Sequence, residues 1–164
     1  MKGTVTDTEF CIKIIGCGNL LMGNDSAGLR VLNVLEESSS GLELIEGGTG
    51  GIGLLPLIEG ADLVIIADAM TGIGKKPGDV HVFTETPPYV PSKMSFQDVG
   101  VAEVIDIARE LLPGTEIIAI GIEAGEIKEY IDRADPEVME GAKYAASLIL
   151  DLVEKRLKKI KFLF

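Results

Sequence analysis

The sequence predicts an α/β fold, a single-domain three-layer sandwich in which a mostly parallel, twisted, five-stranded sheet lies between helices on both faces. Three observations predict it. Short apolar runs alternate along the chain with segments of helical periodicity, the pattern of strands joined by crossover helices. Leu63-Val64-Ile65-Ile66 is apolar at every position, as a central parallel strand covered on both faces should be. The first apolar run, Ile12 to Ile15, breaks at Gly16-Cys17-Gly18-Asn19 and resumes as an amphipathic segment, which reads as strand, loop, helix.

Residues 1–9 are polar and read as a short frayed arm. After the first strand the loop reaches Asp25, and a helix is expected from about Ser26 to Glu37, with Leu29, Leu32 and Leu35 on one face. Ser38 to Gly41 is a turn, and Leu42 to Ile45 a short strand. It enters Glu46-Gly47-Gly48-Thr49-Gly50-Gly51-Ile52-Gly53, five glycines in eight residues, where the backbone can make turns and approaches that side chains forbid. Leu54 to Ile58 reads as a short helix. Ala61 to Ala67 is the strongest strand, ending at Asp68. The glycine-rich connection 71–78 leads to Val80-His81-Val82-Phe83, whose alternation suits an edge strand. A loop punctuated by Pro87, Pro88 and Pro91 follows, and Ser95 to Asp98 opens a helix over Val99 to Leu112. Glu116 to Ile120 is the last strand. Asp135-Pro136 starts a long terminal helix. Parallel strands deliver their loops to the sheet's carboxyl edge, the ordinary ligand site of open α/β sheets. Asp25, Glu46 with its glycines, and Asp68 are therefore expected to converge there, with Gln97 near them.

With 164 residues the chain can bury a sizeable core without disulfides or a structural metal. Its residues are 46% hydrophobic but only 5% aromatic, so that core should be aliphatic. A formal net charge of -11 argues against a nucleic-acid partner, because phosphate binding draws on clustered Lys and Arg. The basic stretch Lys155 to Lys161 reads as the solvated end of the terminal helix. Cys11 and Cys17 are separated by about 20 Å along an extended strand, too far to pair. Unpaired cysteines, no signal peptide and no apolar run of about 18 residues predict a soluble cytoplasmic protein with no membrane partner.

Several chemistries fall away on residue type. A Ser-His-Asp or Cys-His hydrolase needs a base beside its nucleophile, and the one histidine, His81, is mid-strand and away from the loops. Cys17 lacks an evident base and reads as a small core residue. The first loop fails the spacing of a dinucleotide fingerprint, and no P-loop is present. Two carboxylates at one sheet edge, Asp25 and Asp68, suit either hard-oxygen metal ligation or a shared-proton pair. A helix cap for Asp25 and a turn former for Asp68 are the structural alternatives.

Five pieces in order resemble the hydrogenase maturation endopeptidases: Gly16 to Gly28 (GCGNLLMGNDSAG); Glu46-Gly47-Gly48-Thr49; Ile65 to Ala69 with Lys76-Pro77-Gly78; Ser95 to Gly100 (SFQDVG); and Ile120 to Glu123 (IGIE). The resemblance covers Ile12 to Val153 and implies a fold of the phosphorylase/hydrolase-like kind. It implies an enzyme that removes the C-terminal extension of a nickel-iron hydrogenase large-subunit precursor once nickel is installed, the metal being carried by that substrate. It implies catalytic and nickel-contacting roles for Asp25 and Asp68, and a substrate loop at Gly47, Gly48 and Thr49 that offers backbone donors to the developing oxyanion. Members of the family can act as monomers, and a monomer is expected here. The family's third nickel contact is a histidine at the position of Gln97. An amide oxygen is a poorer nickel ligand than imidazole, so weaker nickel binding is expected. The attacking water would be activated by nickel or by one of the two carboxylates. The competing expectations are a non-catalytic relative that binds the nickel-loaded subunit, and an unrelated nucleotide-binding domain.

Overall fold

The computed structural model describes residues 9–38, 41–87 and 100–163. The polar arm, apart from Glu9, lies outside them, and so do Pro88, Pro91, the helix opening at 95–98 and Gln97. Five strands, β1 (Ile12–Gly16), β2 (Glu43–Glu46), β3 (Leu63–Met70), β4 (Val80–Phe83) and β5 (Glu116–Glu123), form one sheet in the order β2-β1-β3-β5-β4. All neighbours are parallel except β4, which runs antiparallel to β5 at the edge. The helices are α1 (Ala27–Glu37), α2 (Leu55–Ile58), α3 (Val101–Leu111) and α4 (Pro136–Lys161).

The period of two along the strands divides the core into two layers. Ile14, Ile65, Ile118, Ile120 and Ile122 face α1 and α4, where they meet Leu29, Leu32, Leu35, Ala142 and Ile149. Ile15, Val64, Ile66, Ile117 and Ala119 face α2 and α3, against Leu54, Ile58, Val104, Ile105 and Ala108. Each of these large aliphatic side chains contributes roughly 1.5–3 kcal/mol by leaving water. The aliphatic core and the helices on both faces are as expected.

Two strands are longer than their sequence suggests. β3 runs past Asp68 to Met70 and β5 past Ile120 to Glu123, and the added residues pair with each other, Asp68 with Gly121 and Met70 with Glu123. Asp68 therefore lies within a strand, and the turn-former alternative for it does not hold. Gly121 fits a strand interior because a Cβ there would stand 2.4 Å from the Met70 sulfur, so the neighbouring side chain fills its place. The helix expected from Ser26 begins at Ala27, after a single 3₁₀ turn over Gly23–Ser26. Likewise Leu54 closes a 3₁₀ turn, Ile52–Leu54, ahead of α2.

Candidate active site

The carboxyl edge of the sheet is closed by backbone hydrogen bonds between loops distant in sequence. Cys17 N–H donates to the Ala67 carbonyl at 2.8 Å, Gly47 N–H to Gly16 at 2.8 Å, and Gly18 N–H to Gly48 at 2.7 Å. The loops leaving β1 and β2 thus share one platform with the middle of β3. Glycine at 47 is dictated by packing, since a Cβ there would meet Ile15, Leu54 and the Cys17 sulfur within 2.9 Å. Gly48 sits at φ +61°, the left-handed region, with open space around it.

Asp25 lies in the 3₁₀ turn that rests on this platform. Gly18, at φ +140°, passes so close beneath that a Cβ would be 2.2 Å from the Asp25 carbonyl oxygen. The Asp25 carboxylate caps no helix. Its Oδ2 accepts from the Asn19 N–H at 3.1 Å, and Asn19 is held in turn by an Asx turn in which its Oδ1 accepts from Leu21 N–H at 2.9 Å. Asp68 shares the sheet face of Val64 and Ile66, and its Oδ1 accepts from Ala69 N–H at 2.8 Å.

The structure brings these two acids into electrostatic contact. Burial pushes the Asp68 carboxyl up to about 7, helped by the charge of Asp25 and opposed by the Ala69 N–H. Asp25 is raised too, chiefly by burial and against the Asn19 hydrogen bond. Near neutral pH the pair therefore holds a proton that two isolated aspartates would release. Two desolvated carboxylates can exchange that proton for a cation, and as hard oxygen donors they suit a divalent metal. Among the described residues no third His, Cys, Asp or Glu joins them in a metal-binding group. Gln97, the expected third contact, lies outside the described residues, in the segment leading to α3. On the near side of that segment Arg109 ties the chain down, donating to Thr86 Oγ1 at 2.7 Å and to the Thr84 carbonyl at 2.9 Å.

Cys17 is buried beside the pair, and burial followed by the charges of Asp68 and Asp25 drives its thiol pKa far upward. It stays protonated, a core residue and no nucleophile. Cys11 and Cys17 are both free. His81 is exposed on β4, stacked against Phe83 with ring centroids 6.2 Å apart. Glu46 is exposed at the end of β2.

Glu123 has a role that reading along the chain did not reveal. It is buried, and its oxygens accept from the amides of Gly72, Ile73, Gly74 and Gly125 at 2.8–3.3 Å. It thereby folds the glycine-rich connection 71–78 back onto the end of β5. The signal was a carboxylate closing an apolar strand opposite a loop rich in glycine amides, but the partners are about fifty residues away. Glu123→Ala would leave several loop amides without acceptors and is expected to lower stability by about 2–4 kcal/mol, read as a shifted urea midpoint.

An open cleft of about 610 Å³ lies on the other side of the Asp25 turn, lined by Gly23, Asn24, Glu126, Tyr130, Arg133 and Asp135 among others. Neither Asp25 nor Asp68 lines it.

Fold and site together define a class: a doubly wound α/β domain that presents a coupled acid pair on glycine-rich loops at the carboxyl edge of its sheet. Residues 29–152 match the family described as hydrogenase maturation protease, and the chain belongs to that family. It is 29% identical over 147 residues to the hydrogenase expression/formation protein HupD of Thiocapsa roseopersicina, an alignment covering 85% of this chain and 66% of that one. To HupM of Azotobacter chroococcum it is 31% identical over 128 residues, covering 73% and 60%. The chain thus spans less than two thirds of the length of these relatives. Among solved structures, the hydrogenase maturating endopeptidase HybD from E. coli superposes with a TM-score of 0.73 at 25% identity, covering 89% of this chain and 93% of the other. No helix among the described residues is long and apolar enough to cross a membrane.

Proposed function

We propose that this chain is an endopeptidase that removes the C-terminal extension of a nickel-iron hydrogenase large-subunit precursor after nickel insertion. The observation that carries the reading is the coupled pair Asp25 and Asp68, standing at the sheet edge of a chain of this family. Nickel arrives with the substrate. Asp25 and Asp68 approach it through carboxylate oxygens, releasing the shared proton, and Gln97 contributes its amide oxygen or holds a ligand water. A carboxyl group with a pKa near 7 also suits proton transfer with the attacking water at neutral pH. Leu20, Leu21, Ile52 and Tyr130 stand exposed on the surrounding loops, apolar surface fitted to hold a protein substrate. In this reading the protein acts as a cytoplasmic monomer, with neither nucleic acid nor membrane as a partner.

The substrate loop narrows to Gly48 and Thr49 as donors, because the Gly47 N–H is already committed to the Gly16 carbonyl. Gly48→Val forces a β-branched residue into the left-handed region. It is expected to slow cleavage about 10²-fold, measured on purified precursor; an unimpaired rate would remove the loop from the mechanism.

The test of the function as a whole is the intact mass of the hydrogenase large subunits in the source cells, with the gene present, deleted, and restored. One subunit keeping its extension only in the deletion strain is the expected result. Normal processing throughout, with no second protease to account for it, would overturn it. The histidine's replacement by Gln97 favours one other reading, a relative that binds the loaded subunit without cutting. Gln97→His separates the two: cleavage appearing only in the variant identifies lost activity, and a competent wild type identifies the protease.

A further inference from the structure

Asn24 is the most completely bonded polar side chain near the acid pair, and no step of the chemistry above uses it. It is 3% exposed. Its Oδ1 accepts from the Asp135 backbone N–H at 2.8 Å, a group that can only donate, and this fixes which way the amide faces. Its Nδ2 is then turned toward three acceptors: the Ala124 carbonyl at 2.8 Å, the Asp135 carboxylate at 3.0 Å and the Glu126 carbonyl at 3.2 Å. All of these partners lie about a hundred residues further along the chain. Two backbone bonds continue the same seam, Gly23 N–H to the Ile131 carbonyl at 2.8 Å and Ile131 N–H to the Leu21 carbonyl at 3.0 Å.

We infer that Asn24 is a positioning residue for Asp25, locking the turn that carries the carboxylate onto the loop between β5 and α4. The inference rests on the function proposed above. The Asp25 turn is gripped from both sides: Gly18 packs beneath it, and the 124–135 loop holds its outer flank through Asn24. A site of this kind loses rate steeply when a reacting group shifts by about 1 Å. Asparagine suits the position, because one end accepts from an N–H while the other donates twice at the same side-chain length. Aspartate has nearly the same shape but would turn a carboxylate toward two carbonyl oxygens and the Asp135 carboxylate. Asp135 is part of the device. It precedes α4 in extended conformation, yet its side chain makes no bond to that helix and serves Asn24 instead.

The test uses the full chain and the precursor identified by intact mass, at a temperature where every variant is folded. Asn24→Asp is expected to lower the single-turnover cleavage rate about 10²-fold. Adding Asp135→Asn returns a donor opposite the new carboxylate and is expected to recover about tenfold of that loss. Thr115→Val, which removes a hydrogen bond to the Ala61 carbonyl at the opposite end of the sheet, is the control: it lowers stability and leaves the rate unchanged. Amide hydrogen exchange at Gly23 and Ile131 should quicken in Asn24→Asp and slow again in the double variant. A single variant cleaving within about threefold of wild type, or a double variant that recovers nothing, overturns the inference. Should the wild type cut no precursor, the proposed function fails, and the exchange rates decide by themselves: unchanged protection at Gly23 and Ile131 then overturns the positioning role.

Discussion

Asp68→Asn is expected to abolish precursor cleavage and at the same time to make the protein harder to unfold. The loss of rate should be about 10²–10⁴-fold, since in the proposed reaction the variant can neither transfer the carboxyl proton nor offer a charged oxygen to nickel. The gain in stability has a definite pH dependence. With its pKa raised from 3.8 to about 7 in the folded chain, Asp68 keeps its proton in the native state over a range where the unfolded chain releases it. The native state binds more protons there, so wild-type stability falls as pH rises from about 4 through about 7 and levels off above. Asparagine has no charge to bury. The variant should match wild type near pH 4 and exceed it by about 2–4 kcal/mol at pH 8, or roughly 5–10 °C in Tm for a domain of this size. Denaturation at both pH values with a cleavage assay checks the pair. Equal stability at pH 8 would mean that the two acids do not burden the fold.

Gly28→Val should be the most destabilising single substitution at the site. Gly28 opens α1 where the helix crosses the ends of β1 and β3, and a Cβ there would lie 2.2 Å from the Ala67 carbonyl oxygen, 2.3 Å from that of Cys17 and 2.8 Å from the Cys17 nitrogen. All three atoms are backbone, and two belong to the bond that joins β1 to β3. Nothing flexible can move aside, so α1 must lift from the sheet and carry the Asp25 turn with it. The expected cost exceeds about 3 kcal/mol, above the usual range for overpacking against side chains. Gly53→Ala is the comparison. A Cβ at Gly53 meets nothing within 4 Å, and its effect should be within about 0.5 kcal/mol of neutral. Thermal melts of the two variants check the contrast.

The sequence was most legible where a local rule governs. Alternation placed β4 at Val80–Phe83, and Asp135-Pro136 marked the start of α4, because those signals involve only neighbouring residues. Placing Asp25 and Asp68 at one edge followed from the carboxyl-edge rule, because β1 and β3 run parallel and side by side. What stayed hidden depends on distant partners. Gly121 and Glu123 look out of place in a strand until Met70 covers Gly121 and the loop amides satisfy the buried carboxylate of Glu123. The turn at Gly23–Ser26 has no periodicity to reveal it. Asn24 resembles any loop asparagine until Asp135 is placed against it, 111 residues later.

The platform beneath the acids is joined by peptide groups, Cys17 to Ala67, Gly47 to Gly16 and Gly18 to Gly48, and every residue except proline carries the same donor and acceptor. A scaffold tied in this way is indifferent to most side chains that decorate it. Wide exchange of side chains is compatible with such a scaffold, and the 29–31% identities to HupD and HupM accord with that freedom. The freedom ends at a few glycines, where a single methyl group would pry apart what the peptides join.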